Sequence, residues 1–177
     1  MSKRIERPVP GVDYPAESFF ARYIGLTGEE EILRQLETQS EDLLRRYQNQ
    51  PERADYRYAE GKWTLRELLG HMVDTERIFA YRALCIARGE AQNLPGFDEN
   101  AYMEAADFSA VPLEDLLAYY QATRAASLVL FRMLTDKELS RVGSANGSAL
   151  SARAFIYILS GHEKHHLAIM AERYQFS

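Results

Sequence analysis

Four histidines stand in this chain, and three of them crowd into one stretch near its end, GHEKHHLAIMAERYQFS, from Gly161 to Ser177. His162-Glu163-Lys164-His165-His166 satisfies H-E-x-x-H, the pattern in which two histidines one helical turn apart hold zinc and the glutamate activates water. Residues four apart on a helix lie about 40° apart around its axis, one turn up, so His162 and His166 can bind one ion together. Phe155, Leu159, His162, His166 and Ile169 follow the alternating 4-3 spacing of a buried helix stripe, and the next step lands on Arg173, where the stripe ends. Two imidazoles therefore replace two core residues. Burying them without partners costs stability, and a shared metal gives each neutral nitrogen an ion to meet.

The third ligand decides what kind of site this is. His71 is the one histidine outside the cluster, and it lies in the stripe Leu68, His71, Thr75, Ile78, Arg82. If its helix faces the last one, three imidazoles converge. Three protein ligands and one open position make a catalytic zinc site; nickel, cobalt or iron would accept the same set. A lone core-facing histidine is ordinarily a hydrogen-bonded core residue, but a pair on one stripe and a third on another favour metal. The protease reading fares worse. Glu163 lies about 100° from His162 and about 60° from His166, so a base role is geometrically open. Yet Glu172 is the sole carboxylate after His166, and the glycine and histidine of the longer metzincin pattern are absent. His165 lies about 60° from His162 on the side away from His166, outward or in support of a ligand. Asp74, three residues beyond His71, is a candidate to orient a ligand histidine or act as general base; the alternative is a surface cap or an arginine pair. Arg82 is a candidate for an anionic substrate group, or simply pairs with a carboxylate.

Helices must position these residues. An arm over residues 1–27, rich in proline and carrying Tyr14, Phe19, Phe20 and Tyr23, reads as extended and packs back on the body. A first helical segment runs from Gly28 to Gln50, stopped by Pro51. A second starts at Thr64, whose capping box with Glu67 satisfies free donors of the first turn, and ends near Gly89. The loop Glu90–Asn100 leads to a short helix over Ala101–Ala106. A third long helix starts after Val111 with Pro112 in its first turn, and a fourth runs from Ser151 to Tyr174. Asn146-Gly147 is a turn signal that closes at most a small hairpin. The fold class is all-α: a four-helix bundle with a long connection between its second and third helices, a framework that builds metal sites inward from facing helices.

The composition sets bounds. A chain of 177 residues fits one domain, 1–177. A net charge of −5 gives no basic stripe for a nucleic acid. No stretch approaches the roughly 20 apolar residues of a membrane span, and the N-terminus has no apolar core for a secretory signal. The single cysteine, Cys85, sits in an apolar run and reads as a buried core thiol; without an internal disulfide the chain suits a reducing cytoplasm.

The run GKWTLRELLGHMVDTE, with Trp63, Thr64, His71, Asp74 and Thr75, resembles the second helix of the DinB-like superfamily. AFIYILSGHEKHHLA, from Ala154, resembles its last helix, and LPGFDENAY, from Leu94, the loop of the YfiT-type branch. The resemblance covers roughly residues 28 to 175. It implies an up-down-down-up bundle, a divalent metal on His71, His162 and His166, and a homodimer. It implies a metal-dependent hydrolase, or a transferase or isomerase that uses a low-molecular-weight thiol as co-substrate. Ile169 stands near the place where some members of that branch carry a further histidine.

Together these readings predict a cytoplasmic metal-dependent enzyme, holding zinc or nickel and activating water or a thiol against a small molecule. The alternatives are a metal-binding stress protein without turnover, or histidines that are only packing.

Overall fold

The computed structural model describes residues 4–177; residues 1–3 of the expected arm lie outside it. The arm runs along the body and then forms a helix, α1 (Phe19–Leu26). The remaining helices are α2 (Ile32–Asn49), α3 (Leu65–Arg88), the short α4 (Glu99–Ala105), α5 (Leu113–Met133), the one-turn α6 (Asp136–Leu139) and α7 (Ala152–Glu172). A hairpin of β1 (Val142–Ala145) and β2 (Ser148–Ser151) precedes α7.

The caps fall where the sequence places them. Thr64 and Glu67 form the reciprocal capping box of α3, and Gly89 closes that helix in the left-handed conformation at φ 91°. Asn146 and Gly147, both at positive φ, make the two-residue hairpin turn. Two boundaries differ from expectation. The arm's last third is helical, because burial of Tyr23 and Ile24 against α7 stabilises a helix of about two turns that is too short to show a period. The next helix starts at Ile32 rather than Gly28. Gln35 binds the backbone of Gly28 and Glu30, and Glu31 caps the helix by accepting from the Arg34 N–H.

α2, α3, α5 and α7 form the bundle. α3 packs on α5 and α7, and α2 packs on the same two. One apolar cluster joins the start of α2, the end of α3, the end of α5 and the start of α7: Ile32, Leu36, Phe79, Ile86, Phe131 and Phe155. The other joins the opposite ends, through Leu43, Tyr47, Leu68, Leu116, Tyr120 and Met170. The directions are therefore up, down, down, up. Cys85 is half-buried at the edge of the first cluster rather than within it.

Three attachments shape the end where α1 lies. Arg153, in the first turn of α7, pairs with the buried Asp13 at 2.8 Å, and Arg7 binds the Ile24 carbonyl at 2.8 Å, so the arm is held down. α1 lies so close to α7 that a methyl at Gly161 would fall on the Tyr23 carbonyl. The loop after α3 is pinned to the hairpin by Leu94 N–H to Ser144 O and Asn146 N–H to Leu94 O.

Candidate metal centre

His71 lies in the second turn of α3, whose start is fixed by the capping box seven residues earlier. His162 and His166 lie one turn apart on α7, which packs against α3 along its length. All three rings are buried. Their Nε2 atoms converge: His71 to His162 at 3.1 Å and His166 to His162 at 3.0 Å. Among the described residues they are the one group of histidine, cysteine and carboxylate side chains close enough to share an ion.

The chemistry of this trio fits a cation. Burial lowers the pKa of His71 to about 4. It holds His162 and His166 well below the usual value, with the neighbouring imidazoles adding to the effect. The rings are therefore neutral at pH 7, the form that ligates. Hydrogen bonding alone serves them badly. A neutral ring nitrogen offers one N–H or one lone pair, so His162 Nε2 cannot bond well with both neighbours at once. The buried Nδ1 of His166 has no partner among the described residues either.

The trio forms the floor of a pocket of about 350 Å³. Trp63 leans over the His71 ring at 4.9 Å, and Tyr23 meets His162 edge-on at 5.4 Å. Phe19 and Phe20 of α1, Phe79 and Arg82 of α3, Phe97 of the loop and Asn146 of the hairpin complete the walls. His165 lines the same pocket, half-buried, 5.8 Å from the Tyr23 ring, with burial lowering its pKa.

Two sequence candidates do not join the trio. Asp74 is half-buried on α3, is not a pocket wall and bonds no imidazole; burial raises its pKa against the opposing charge of Arg77. Glu163 faces the bundle interior. Its carboxylate accepts from the Tyr120 hydroxyl and from Arg124 Nη2 at 2.6 Å, and Arg124 in turn grips Glu76. The H-E-x-x-H glutamate is thus committed to a buried network, and the zinc-protease geometry is absent. Sequence reasoning missed that network, although Arg124 interrupts the apolar stripe Leu116, Tyr120, Leu128, Phe131 just as the histidines interrupt theirs.

A family model of the DinB superfamily matches residues 32–170, most of the chain. The chain belongs to the DinB superfamily. Two curated relatives in Oceanobacillus iheyensis, "Putative metal-dependent hydrolase OB0413" and "Putative metal-dependent hydrolase OB0782", are each 27% identical to it, over 113 and 118 residues. Those matches cover 63% and 66% of this chain and 64% and 68% of the relatives, so about two thirds of their length is spanned. YfiT of Bacillus subtilis, described as "a probable metal-dependent hydrolase with an unusual four-helix bundle topology", superposes with a TM-score of 0.69 at 21% identity. The overlap covers 85% of this chain and 91% of YfiT. A mycothiol-dependent maleylpyruvate isomerase superposes at 0.65 with 17% identity, over 82% of this chain and 61% of its own. At these identities both likenesses speak for the fold. No helix among the described residues of this DinB protein is long and apolar enough to cross a membrane.

Proposed function

We propose that this DinB protein is a metal-dependent enzyme acting on a small molecule, with His71, His162 and His166 holding one divalent ion, zinc or nickel. The observation that carries this reading is the convergence of three neutral Nε2 atoms at the floor of an aromatic-walled pocket. When bound, such an ion acts as a Lewis acid and makes water, or a low-molecular-weight thiol, acidic enough to serve as a nucleophile near neutral pH.

The chain's own residues supply the rest. The three imidazoles come from two packed helices, so their spacing is fixed by the bundle and not by a loop. Trp63, Tyr23 and Phe79 surround the trio and keep bulk water from its sides. Glu163 takes no part, being held by Tyr120 and Arg124. Hydrolysis has the support of the two relatives' names. A thiol as nucleophile uses the same residues.

Elemental analysis of the purified protein beside His71→Ala tests the reading. The expected result is about one divalent ion per chain, with at least a tenfold loss in the variant. Equal metal in both would place the ion on α7 alone and overturn the three-histidine site; none in either, after loading with zinc and nickel, would overturn metal binding altogether. Turnover of an electrophilic ester with and without added thiol then separates hydrolase from transferase.

A further inference from the structure

Arg82 is 4% exposed, yet no carboxylate pairs with it among the described residues. An arginine has five N–H donors. Among the described residues, the one hydrogen bond its guanidinium makes is from Nη2 to the Pro95 carbonyl, at 2.6 Å. The group lies over two aromatic rings, 5.7 Å from the centroid of Phe79 and 5.6 Å from that of Phe97. It is also a wall of the histidine pocket. Buried arginines are ordinarily paired, and this one keeps spare donors beside a cavity.

A second polar group points the same way. Thr75 lines the pocket, and its buried hydroxyl has no hydrogen-bond partner among the described residues. It stands four residues after His71 and seven before Arg82, on one face of α3. Long helical side chains lean toward the helix N-terminus, the side on which Thr75 lies. Phe79 spans the remaining gap: its ring lies 6.3 Å from that of His162. The pocket thus has a cationic end, an apolar middle and a histidine floor, within a volume at the small end of ligand sites.

We propose that the pocket's substrate is a ring-sized carboxylic acid. Its carboxylate is received by Arg82 and the Thr75 hydroxyl, its apolar body lies against Phe79 and Trp63, and its reacting atom is presented to the three histidines. The planar guanidinium suits a carboxylate, which it binds through two parallel N–H donors. Glu99, at the exposed rim, disfavours a dianion such as a phosphate ester. This substrate class rests on the enzymatic reading above, but the binding preference can be measured without turnover or metal.

Trp63 is the only tryptophan and sits in the pocket wall, so its fluorescence reports occupancy. Cyclohexanecarboxylate and its neutral amide are titrated into the wild type, Arg82→Gln, Arg82→Lys and Thr75→Val, each metal-free and zinc-loaded, with metal content measured on the same samples. The wild type should prefer the acid at least tenfold in both states. Arg82→Gln should abolish the preference while leaving amide binding within about twofold, and Arg82→Lys should restore part of it. If Arg82→Gln fails to fold, Arg82→Lys and Thr75→Val decide, each weakening the acid severalfold and sparing the amide. A preference seen only with zinc and surviving Arg82→Gln would put the anion on the metal and overturn the proposal. So would equal binding of acid and amide. A preference kept in metal-free protein stands even if the metal reading fails.

Discussion

His162 and Glu163 are adjacent in the chain and meet opposite fates. His162 faces a pocket, in a trio whose hydrogen bonds do not close. Glu163 faces the bundle core, in a network whose hydrogen bonds do: Tyr120 and Arg124 serve its two oxygens, and Arg124 also binds both oxygens of Glu76 and the Leu36 carbonyl. Both groups are buried polar clusters built across facing helices at similar depth. A closed network holds helices in register and has nothing left to offer a ligand. An open one beside a cavity, with His166 Nδ1 and Thr75 Oγ1 unpartnered, is where a ligand can repay the desolvation already incurred.

The sharpest way to break this comparison is to open the closed network. Arg124→Ala would leave two buried carboxylates facing each other without their cation. Removing one partner of a buried ion pair costs about 3–5 kcal/mol, so the thermal midpoint should fall by roughly 10 °C or more for a chain of this size. His71→Ala, measured in chelator, is the control from the open cluster. It removes a neutral ring beside an existing cavity, and its midpoint should move far less than that of Arg124→Ala. Equal losses in differential scanning calorimetry would show that the trio holds the fold together as firmly as the network does.

The second effect depends on pH, and the share of His71 alone is the smaller one. In the metal-free protein the folded state keeps His71, His162 and His166 neutral, while the unfolded chain takes up protons at ordinary histidine values. The unfolded state then binds more protons, and stability falls as pH falls. The loss should begin near pH 6.5 and continue toward about 4, where His71 itself titrates; its share is on the order of 3 kcal/mol. Urea midpoints of the chelated protein between pH 7.5 and 4.5 measure it, and His71→Ala should give a shallower slope. A flat profile would mean the rings are solvated or already paired.

Most of the architecture could be read from local signals. The box at Thr64, the stop at Gly89 and the Asn146-Gly147 turn each reflect a backbone requirement that few residue types meet. The trio was legible for a different reason: imidazoles in otherwise apolar stripes are conspicuous, and three on two helices have one economical explanation. Arg124 and Glu76 carry the same signal, each interrupting a stripe of its helix, and paired opposite charges on two stripes could have been matched by the same logic. The pocket walls were not legible. Phe97 and Asn146 reach the site through a loop pinned to a hairpin some fifty residues away, and Tyr23 through an arm helix held by Asp13–Arg153. Such contacts have no local period. Asp74 reads in the sequence as either a partner of a ligand histidine or a surface cap or arginine pair; three residues beyond His71, one short of Thr75, it is not among the residues that line the cavity.

The smallest expected effect discriminates best between the two regions. Glu163→Gln keeps the shape and can still accept from Arg124 through its carbonyl, while its amide donates toward the Tyr120 oxygen. Burial raises the pKa of Glu163, with Arg124 opposing and Glu76 adding, so a neutral amide escapes part of the desolvation that the buried carboxylate bears. The expected cost at pH 7 is at most about 1–2 kcal/mol, within the range for altering one buried hydrogen bond. A carboxyl with a raised folded pKa contributes stability that is lost as pH rises from the ordinary carboxyl range through that value, so the variant's stability should change less with pH over that rise than the wild type's. Metal content and any turnover should survive. In a zinc protease the same substitution removes the general base and abolishes activity with the metal retained. Turnover lost with metal and thermal midpoint intact would therefore bring Glu163 back to the site; turnover kept would leave the H-E-x-x-H match a coincidence of helix spacing.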